Sequence, residues 1–125
     1  MRKVHTEWAP AAIGPYSQAV AAGGFLFSAG QIGLVPETGQ LAADDVVGQA
    51  RQVFRNLAAV LEAAGVGLAD VVKTTVYLAD MADFPAVNAV YAEHFSEPYP
   101  ARSTVAAAGL PKGALVEIDV VARLG

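Results

Sequence analysis

The chain has 125 residues, a length that predicts one domain, residues 1–125, with a single hydrophobic core. Hydrophobic residues make up 54% of the chain and charged residues only 16%, so we expect some apolar surface to be covered by another subunit. The net charge of −4 with scattered basic residues argues against a nucleic-acid partner, and the lack of cysteine excludes disulfides and thiolate catalysis.

The N-terminal segment MRKVHTEWAP is the first feature along the chain. It carries two basic residues but no apolar stretch of signal-peptide length, and no apolar run elsewhere approaches the roughly 18 residues that span a membrane. We therefore expect a cytoplasmic protein without a membrane partner. The two histidines, His5 and His94, are not spaced as metal ligands, so we expect no metal.

Two strands follow, Gln18 to Ala22 and Phe25 to Gln31. The glycine pair at 23–24 between them supplies the positive φ angles that a tight hairpin requires. Gly30 lies inside the second strand, which indicates a bulge or a close approach of the backbone to a ligand. Tyr16 lies in the turn before the first strand, where it can cover a pocket mouth or simply pack.

Two helices are predicted, from Asp44 to Gly65 and from about Phe84 to Phe95. The apolar residues of both recur at three- and four-residue spacing, and Asp44 or Asp45 can cap the first helix. The second helix carries Asn88 between apolar neighbours, where its amide bonds to a loop or faces water.

Three more strands are predicted, Val71 to Ala79 between the helices, then Ala101 to Ala107 and Leu115 to Leu124. This order predicts an α+β fold in which two helices cover one face of a mixed β-sheet. Because the strands carry apolar or mixed residues on both faces, we expect the uncovered face to pack against further copies of the chain in a closed oligomer.

The last two strands carry charged residues. Arg102 and Thr104 share one face, and Glu117 shares a face with Asp119. If the segment GLPKG makes these strands a hairpin, an acid of the last strand can pair with the strand of Arg102. A guanidinium matches a carboxylate, so the ligand of such a pocket is a small organic acid. A structural ion pair and a solvent-exposed arginine are the alternatives.

Five segments occur in one order: APAAIGPYSQAV, FSAGQIG, VVKTTVYLADMADFPAVNAVYAEHF, YPARSTV and LPKGALVEIDVVA. Together they resemble the Rid family (YjgF-like reactive intermediate deaminases), in its arginine-containing RidA-type branch. The resemblance implies a chorismate-mutase-like α+β fold and a homotrimer with a central β-barrel and sites between subunits. It also implies hydrolysis, without a cofactor, of enamines and imines such as 2-aminoacrylate, 2-iminopropanoate and 2-iminobutanoate to 2-keto acids and ammonia.

The same resemblance implies the site residues. Arg102 matches the arginine that holds the substrate carboxylate, and Glu117 matches the carboxylate that positions the attacking water. Tyr16 matches a tyrosine that lines the cleft, and Asn88 matches a helix asparagine near the site. The backbone N–H of Gly30 is expected to face the substrate carboxylate.

Two positions depart from the family pattern. Thr104 stands where cysteine is frequent, but the group implied there is the backbone carbonyl, which meets the imine nitrogen, so threonine should be tolerated. Ala29 stands where serine is frequent and lacks a hydroxyl that can bond the substrate. We therefore expect Ala29 to affect rate and substrate preference more than activity itself.

Other functions are open at this point. The chain can be a non-catalytic module that binds or senses a 2-keto acid, which only a turnover measurement distinguishes from an enzyme. Chorismate mutase activity rests on fold analogy alone, and its dianionic substrate needs more strand-borne cations. A ribonuclease or translational inhibitor is disfavoured by the net charge of −4 and the lack of a basic stripe.

Overall fold

The chain forms a seven-stranded mixed β-sheet and two α-helices in a computed structural model that describes all residues from Met1 to Gly125. The helices are α1, Val46–Ala63, and α2, Phe84–Ala92. The strands are β1, Arg2–Val4; β2, Ala19–Ala22; β3, Phe25–Ser28; β4, Gln31–Ile32; β5, Val71–Leu78; β6, Ala101–Ala106; and β7, Val116–Arg123. The α+β class is confirmed, and the predicted strands and helices follow one another in the predicted order. Strand β1 was not predicted, and the second predicted strand is divided into β3 and β4.

The strand order in the sheet is β1-β2-β3-β7-β5-β6, and β4 also pairs with β7. Strands β5 and β6 run parallel, and every other pair is antiparallel. The parallel pair follows from α2, which carries the chain from the end of β5 back to the start of β6. The prediction of a mixed sheet is therefore confirmed.

The hairpin of β2 and β3 turns at Gly23 and Gly24, whose φ angles are +60° and +84°. The second predicted strand is interrupted, since β3 ends at Ser28 and β4 begins at Gln31. Along β3 the chain pairs with both β2 and β7, whereas β4 pairs with β7 alone. The break lies at residues 29–30, where the sequence predicts a bulge or a close approach.

Helix α1 packs its apolar stripe on the inner face of β7. Their fully buried side chains include Phe54, Leu57, Leu61, Ile118 and Val120. Burying a side chain of this size stabilises a fold by about 1.5–3 kcal/mol. The helix ends as predicted at a left-handed glycine with φ +81°, residue 65, and the aspartate at position 45 is its N-cap without a side-chain capping bond.

The prediction of a hairpin between the last two strands is wrong, because β5 lies between β6 and β7. After β6 the chain passes over the end of β5 through the 3-10 turn Pro111–Gly113 and returns antiparallel to β5 on its other side. The predicted pairing of a β7 acid with the strand of Arg102 therefore does not occur.

The sheet face opposite the helices is partly apolar. Phe25, Phe27 and Val105 keep 40–45% of their surface exposed there. Charged and polar side chains of β5 and β7 share this face, which we call the open face. Neither helix is both long and apolar enough to cross a membrane.

Candidate active site

Arg102 projects from the edge strand β6 toward α2. Its Nη1 donates a hydrogen bond to Oδ1 of Asn88 at 2.7 Å. The guanidinium carbon lies 4.6 Å from the ring centroid of Tyr91 and 5.4 Å from that of Phe84. Such cation–π contacts are worth about 0.5–1 kcal/mol each at exposed sites. Neutral groups therefore hold the guanidinium, and it makes no ion pair with any carboxylate of the chain.

A groove of about 420 Å³ opens beside this guanidinium, and it is lined by Asn88, Tyr91, Ala92, Tyr99, Pro100 and Arg102. Its volume is in the range of small-molecule sites. A guanidinium has five N–H donors, and only one hydrogen bond to a protein acceptor is present here. The groove thus combines aromatic walls with a cation whose remaining donors suit a carboxylate.

A second cavity, of about 440 Å³, lies beside Trp8 and the end of α1. Its only charged lining residue is Glu62. A cavity whose single charge is negative repels organic acids, so we place the candidate site at Arg102 and not at this larger space.

Glu117 lies half-buried on the open face of β7, against Gly30. A Cβ atom added to Gly30 would overlap the Glu117 carboxylate, so the predicted close approach at this glycine is to a side chain of the chain itself. Burial raises the pKa of Glu117, and the negative charge of Asp119 raises it further. A raised pKa brings a carboxylate closer to the range that suits a general base near neutral pH.

Tyr77 and Asp119 border Glu117 on the same face. The Tyr77 hydroxyl donates a hydrogen bond to Oδ2 of Asp119 at 3.2 Å. Desolvation raises the pKa of Tyr77, as does the charge of Asp119, so this hydroxyl remains a donor at neutral pH. Sequence reasoning predicted the shared face of Glu117 and Asp119 but did not find Tyr77.

Thr104 lies on the same face of β6 as Arg102, as predicted, since the two pair with alternate residues of β5, Val76 and Thr74. Its Oγ1 is buried and has no hydrogen-bond partner. Ala29 donates its backbone N–H to the carbonyl oxygen of Gln18 at 2.9 Å, directly before Gly30.

Tyr16 lies in the N-terminal loop with 55% of its surface exposed. Its hydroxyl oxygen accepts a hydrogen bond from the backbone of Ile13 at 3.4 Å, and its own N–H donates to Gly14. It is not among the residues that line the groove at Arg102.

The candidate residues thus form two separate clusters within one chain. Arg102 pairs with Thr74, and Thr74 pairs with Val120, so all three side chains lie on the helix-covered face. Glu117 is three residues from Val120 and therefore lies on the open face with Gly30. The structure brings Arg102 and Asn88 together, and it separately brings Glu117 and Gly30 together. The two pairs lie on opposite faces of the sheet.

The chain is similar to proteins of known sequence and structure along nearly its whole length. A sequence profile described as endoribonuclease L-PSP matches residues 6–124. The chain belongs to this family. Human 2-iminobutanoate/2-iminopropanoate deaminase is 46% identical over 124 residues, which cover 99% of this chain and 90% of the human protein.

Other relatives carry the Rid name. Reactive Intermediate Deaminase A, chloroplastic, of Arabidopsis thaliana is 50% identical over 121 residues, covering 97% of this chain and 65% of that protein. The crystal structure of RidA from the Antarctic bacterium Psychrobacter sp. has a TM-score of 0.95 at 47% identity and covers 99% of this chain and 100% of that chain. The resemblance to the Rid family is therefore confirmed.

Within this Rid fold, sequence reasoning missed the aromatic walls of the groove. Tyr91 was expected only as part of the apolar face of the second helix, and Tyr99 was not singled out. For Tyr91 the signal was its spacing, because residues 88 and 91 lie on one face of a helix. Asn88 was already a candidate, so its i+3 neighbour was a candidate for the same groove.

Proposed function

We propose that the chain hydrolyses enamines and imines derived from 2-amino acids, such as 2-aminoacrylate, 2-iminopropanoate and 2-iminobutanoate, to 2-keto acids and ammonia. The observation that carries this proposal is the guanidinium of Arg102, held by an amide and two aromatic rings beside a groove, with no carboxylate partner. A small organic acid supplies the missing anion in two parallel hydrogen bonds. The human relative, which bears this activity in its name, adds support.

The complete site requires a second copy of the chain, because Arg102 and Glu117 lie on opposite faces of one sheet. We propose a homotrimer in which the open faces form a central β-barrel and cover Phe25 and Phe27. In this arrangement the groove at Arg102 meets Glu117 of the partner subunit. Gly30 and Tyr16 of the partner subunit approach the same cleft.

In the proposed reaction, Arg102 holds the substrate carboxylate, and the N–H of Gly30 donates to the same group. Asn88 keeps the guanidinium in place, and Tyr16 covers the cleft. The backbone carbonyl of Thr104 accepts a hydrogen bond from the protonated imine nitrogen. Ala29 presents no hydroxyl to the substrate, so binding of the substrate carboxylate depends on Arg102 and on the N–H of Gly30. An enamine substrate first takes a proton from water at its β-carbon and becomes the protonated imine.

Glu117 then accepts a proton from a water molecule while the oxygen of that water bonds to the imine carbon. The π electrons of the C=N bond move to nitrogen, and the product is a carbinolamine. Glu117 returns this proton to the nitrogen of the carbinolamine, and the C–N bond breaks as the hydroxyl oxygen forms the C=O bond. Ammonia leaves, and the hydroxyl proton passes to Glu117 and from there to water. One well-placed acid or base contributes about 10² to 10⁴ in rate, and positioning supplies the rest. These residues suffice without a cofactor.

Two other functions differ from the proposed hydrolysis in the chemistry that they require. A sensor of 2-keto acids would use the same groove without turnover. Ribonuclease activity, which the family description names, requires cations along an RNA backbone, whereas this chain has net charge −4 and presents one unpaired arginine at a small groove. The expected cytoplasmic location stays a prediction.

The test is the rate at which 2-keto acid forms when threonine dehydratase or an amino-acid oxidase generates imine in an amine-free buffer. We expect the wild-type chain to accelerate this rate and Arg102→Ala to lose the acceleration. Arg51→Ala is the matched control, because Arg51 is a surface arginine paired with Glu93, and we expect full activity from it. Binding of 2-ketobutyrate without any acceleration would establish the sensor instead.

A further inference from the structure

The side chain of Gln18 closes the N-terminal loop. Gln18 lies directly before β2 and is only 2% exposed. Its Oε1 accepts the N–H of Thr6 at 2.8 Å, and its Nε2 donates to the carbonyls of Thr6 at 3.0 Å, Pro10 at 2.8 Å and Ala9 at 3.3 Å. The donors of the amide and its acceptor oxygen are thus all used within one short segment.

The backbone of Gln18 is hydrogen-bonded to the turn that carries Gly30. The carbonyl oxygen of Gln18 accepts the N–H of Ala29 at 2.9 Å. Ala29 precedes Gly30, which lies against the Glu117 carboxylate. One residue therefore joins the segment before Tyr16 to the turn that carries Gly30.

The loop between these attachments has few other restraints. None of residues 11–17 makes a hydrogen bond outside the loop, and Ile13, Gly14 and Tyr16 are exposed. The two ends of the loop, Pro10 and Gln18, are held together by the Gln18 side chain. Loops with joined ends keep a compact shape, and functional side chains on loops depend on such attachment. The position of Tyr16 therefore depends on this one amide.

We infer that Gln18 is a positioning residue that sets where Tyr16 stands relative to Gly30. This inference rests on the proposed function for its effect on catalysis, but not for its effect on the loop. Displacement of a site group by about 1 Å can lower a rate about 10²-fold. Loss of the Gln18 amide is therefore expected to lower kcat/KM at least tenfold, through Tyr16 and not through loss of folding.

The first experiment compares Gln18→Met with Gln49→Met. Gln49 is an equally buried amide, 2% exposed, whose side chain hydrogen-bonds to the carbonyl of Ala43 and the N–H of Leu115 but to neither Tyr16 nor Gly30. Both variants should lower the melting temperature. Only Gln18→Met should lower kcat/KM about tenfold or more, and Gln49→Met should stay within about twofold.

The N-terminal segment that the Gln18 amide holds can be followed without substrate, because Trp8 is the only tryptophan in the chain and lies in this segment between Thr6 and Ala9. We expect Gln18→Met to lower the fluorescence anisotropy of Trp8 and Gln49→Met to leave it unchanged. If Gln18→Met does not fold, Gln18→Asn keeps an amide but shortens its reach, and it is expected to show the same changes to a smaller extent.

A double-mutant cycle separates positioning from a general loss of stability. In a Tyr16→Ala background, Gln18→Met should lower kcat/KM by less than about twofold further, because the residue it positions is already gone. An equal tenfold loss in both backgrounds, or an unchanged kcat/KM and Trp8 anisotropy in Gln18→Met, would overturn the inference. If the wild type shows no turnover, the proposed function fails, and Trp8 anisotropy still decides whether Gln18 holds the loop.

Discussion

Glu117→Gln is expected to lower activity and raise stability at neutral pH. Glutamine keeps the shape that fits against Gly30 but cannot accept a proton from water. General-base catalysis is worth about 10² to 10⁴ in rate, so kcat should fall by that factor, which equals about 2.7 to 5.4 kcal/mol in the barrier. The affinity for the substrate carboxylate should change little, because Arg102 binds it.

The stability effect follows from the raised pKa of Glu117, whose causes are burial and then Asp119. The folded chain holds this proton more tightly than the unfolded chain, whose glutamate has a pKa of 4.5. Wild-type stability therefore falls as the pH rises from 4.5 through the folded pKa, and the glutamine variant lacks this loss. The variant should melt higher than wild type at pH 7 and equally below pH 4.5.

The assay pairs melting curves from pH 4 to 8 with steady-state rates of 2-keto acid formation. Asp119→Asn serves as a control, since it removes the second cause of the shift without touching the proposed base. In Asp119→Asn the pKa of Glu117 is raised less, so the loss of stability with rising pH should extend over a narrower pH range than in the wild type. The reasoning is refuted if Glu117→Gln keeps full activity, or if it melts below wild type at pH 7.

Three further changes test other parts of the site. Arg102→Lys keeps the charge but loses the planar fork, so kcat/KM should fall about 10²-fold, mostly through KM; a change below twofold would show that charge alone suffices. Thr104→Val keeps the backbone carbonyl and removes the unpaired hydroxyl, so urea unfolding should show about 1 kcal/mol more stability with kcat unchanged. A large loss of kcat would instead assign the hydroxyl to the reaction. Gly30→Ala should lower kcat/KM at least about tenfold because its methyl group displaces the Glu117 carboxylate, and unchanged kinetics would contradict this close approach.

Local sequence patterns were enough for most of the secondary structure. The stripe from Asp44 to Gly65 predicted α1 within two residues at each end, and the glycine pair at 23–24 predicted the hairpin turn. Both follow from interactions between residues that are close in sequence. The interruption at residues 29–30 was only partly predicted, since it depends on which strands flank β3 and β4.

The pairing of β6 could not be predicted from its own residues. The segment GLPKG has the turn residues of a hairpin, yet β6 pairs with β5, because α2 follows β5 along the chain and returns the chain so that β6 runs parallel to β5. That one difference moves Arg102 away from the strand of Glu117. The separation of the Arg102 cluster from the Glu117 cluster is therefore a property of the tertiary topology.

The contact between two of the candidate site residues could be predicted better than the arrangement of all of them. The resemblance named Arg102 and Asn88, and the hydrogen bond between them is present. The stacking of Arg102 on Tyr91 could not be predicted, because a helix stripe does not tell whether an aromatic ring faces the core, an edge strand or both. The raised pKa of Glu117 likewise depends on its burial against Gly30.

The most direct test of the composite site is a mixing experiment with two inactive variants. Arg102→Ala and Glu117→Gln are unfolded separately, mixed in equal amounts and refolded, and 2-keto acid formation is measured. If each site takes its arginine and its carboxylate from neighbouring copies, about a quarter of the sites in randomly mixed trimers are intact, and about a quarter of wild-type activity should return. If both residues act from the same chain, no activity returns and the account is wrong.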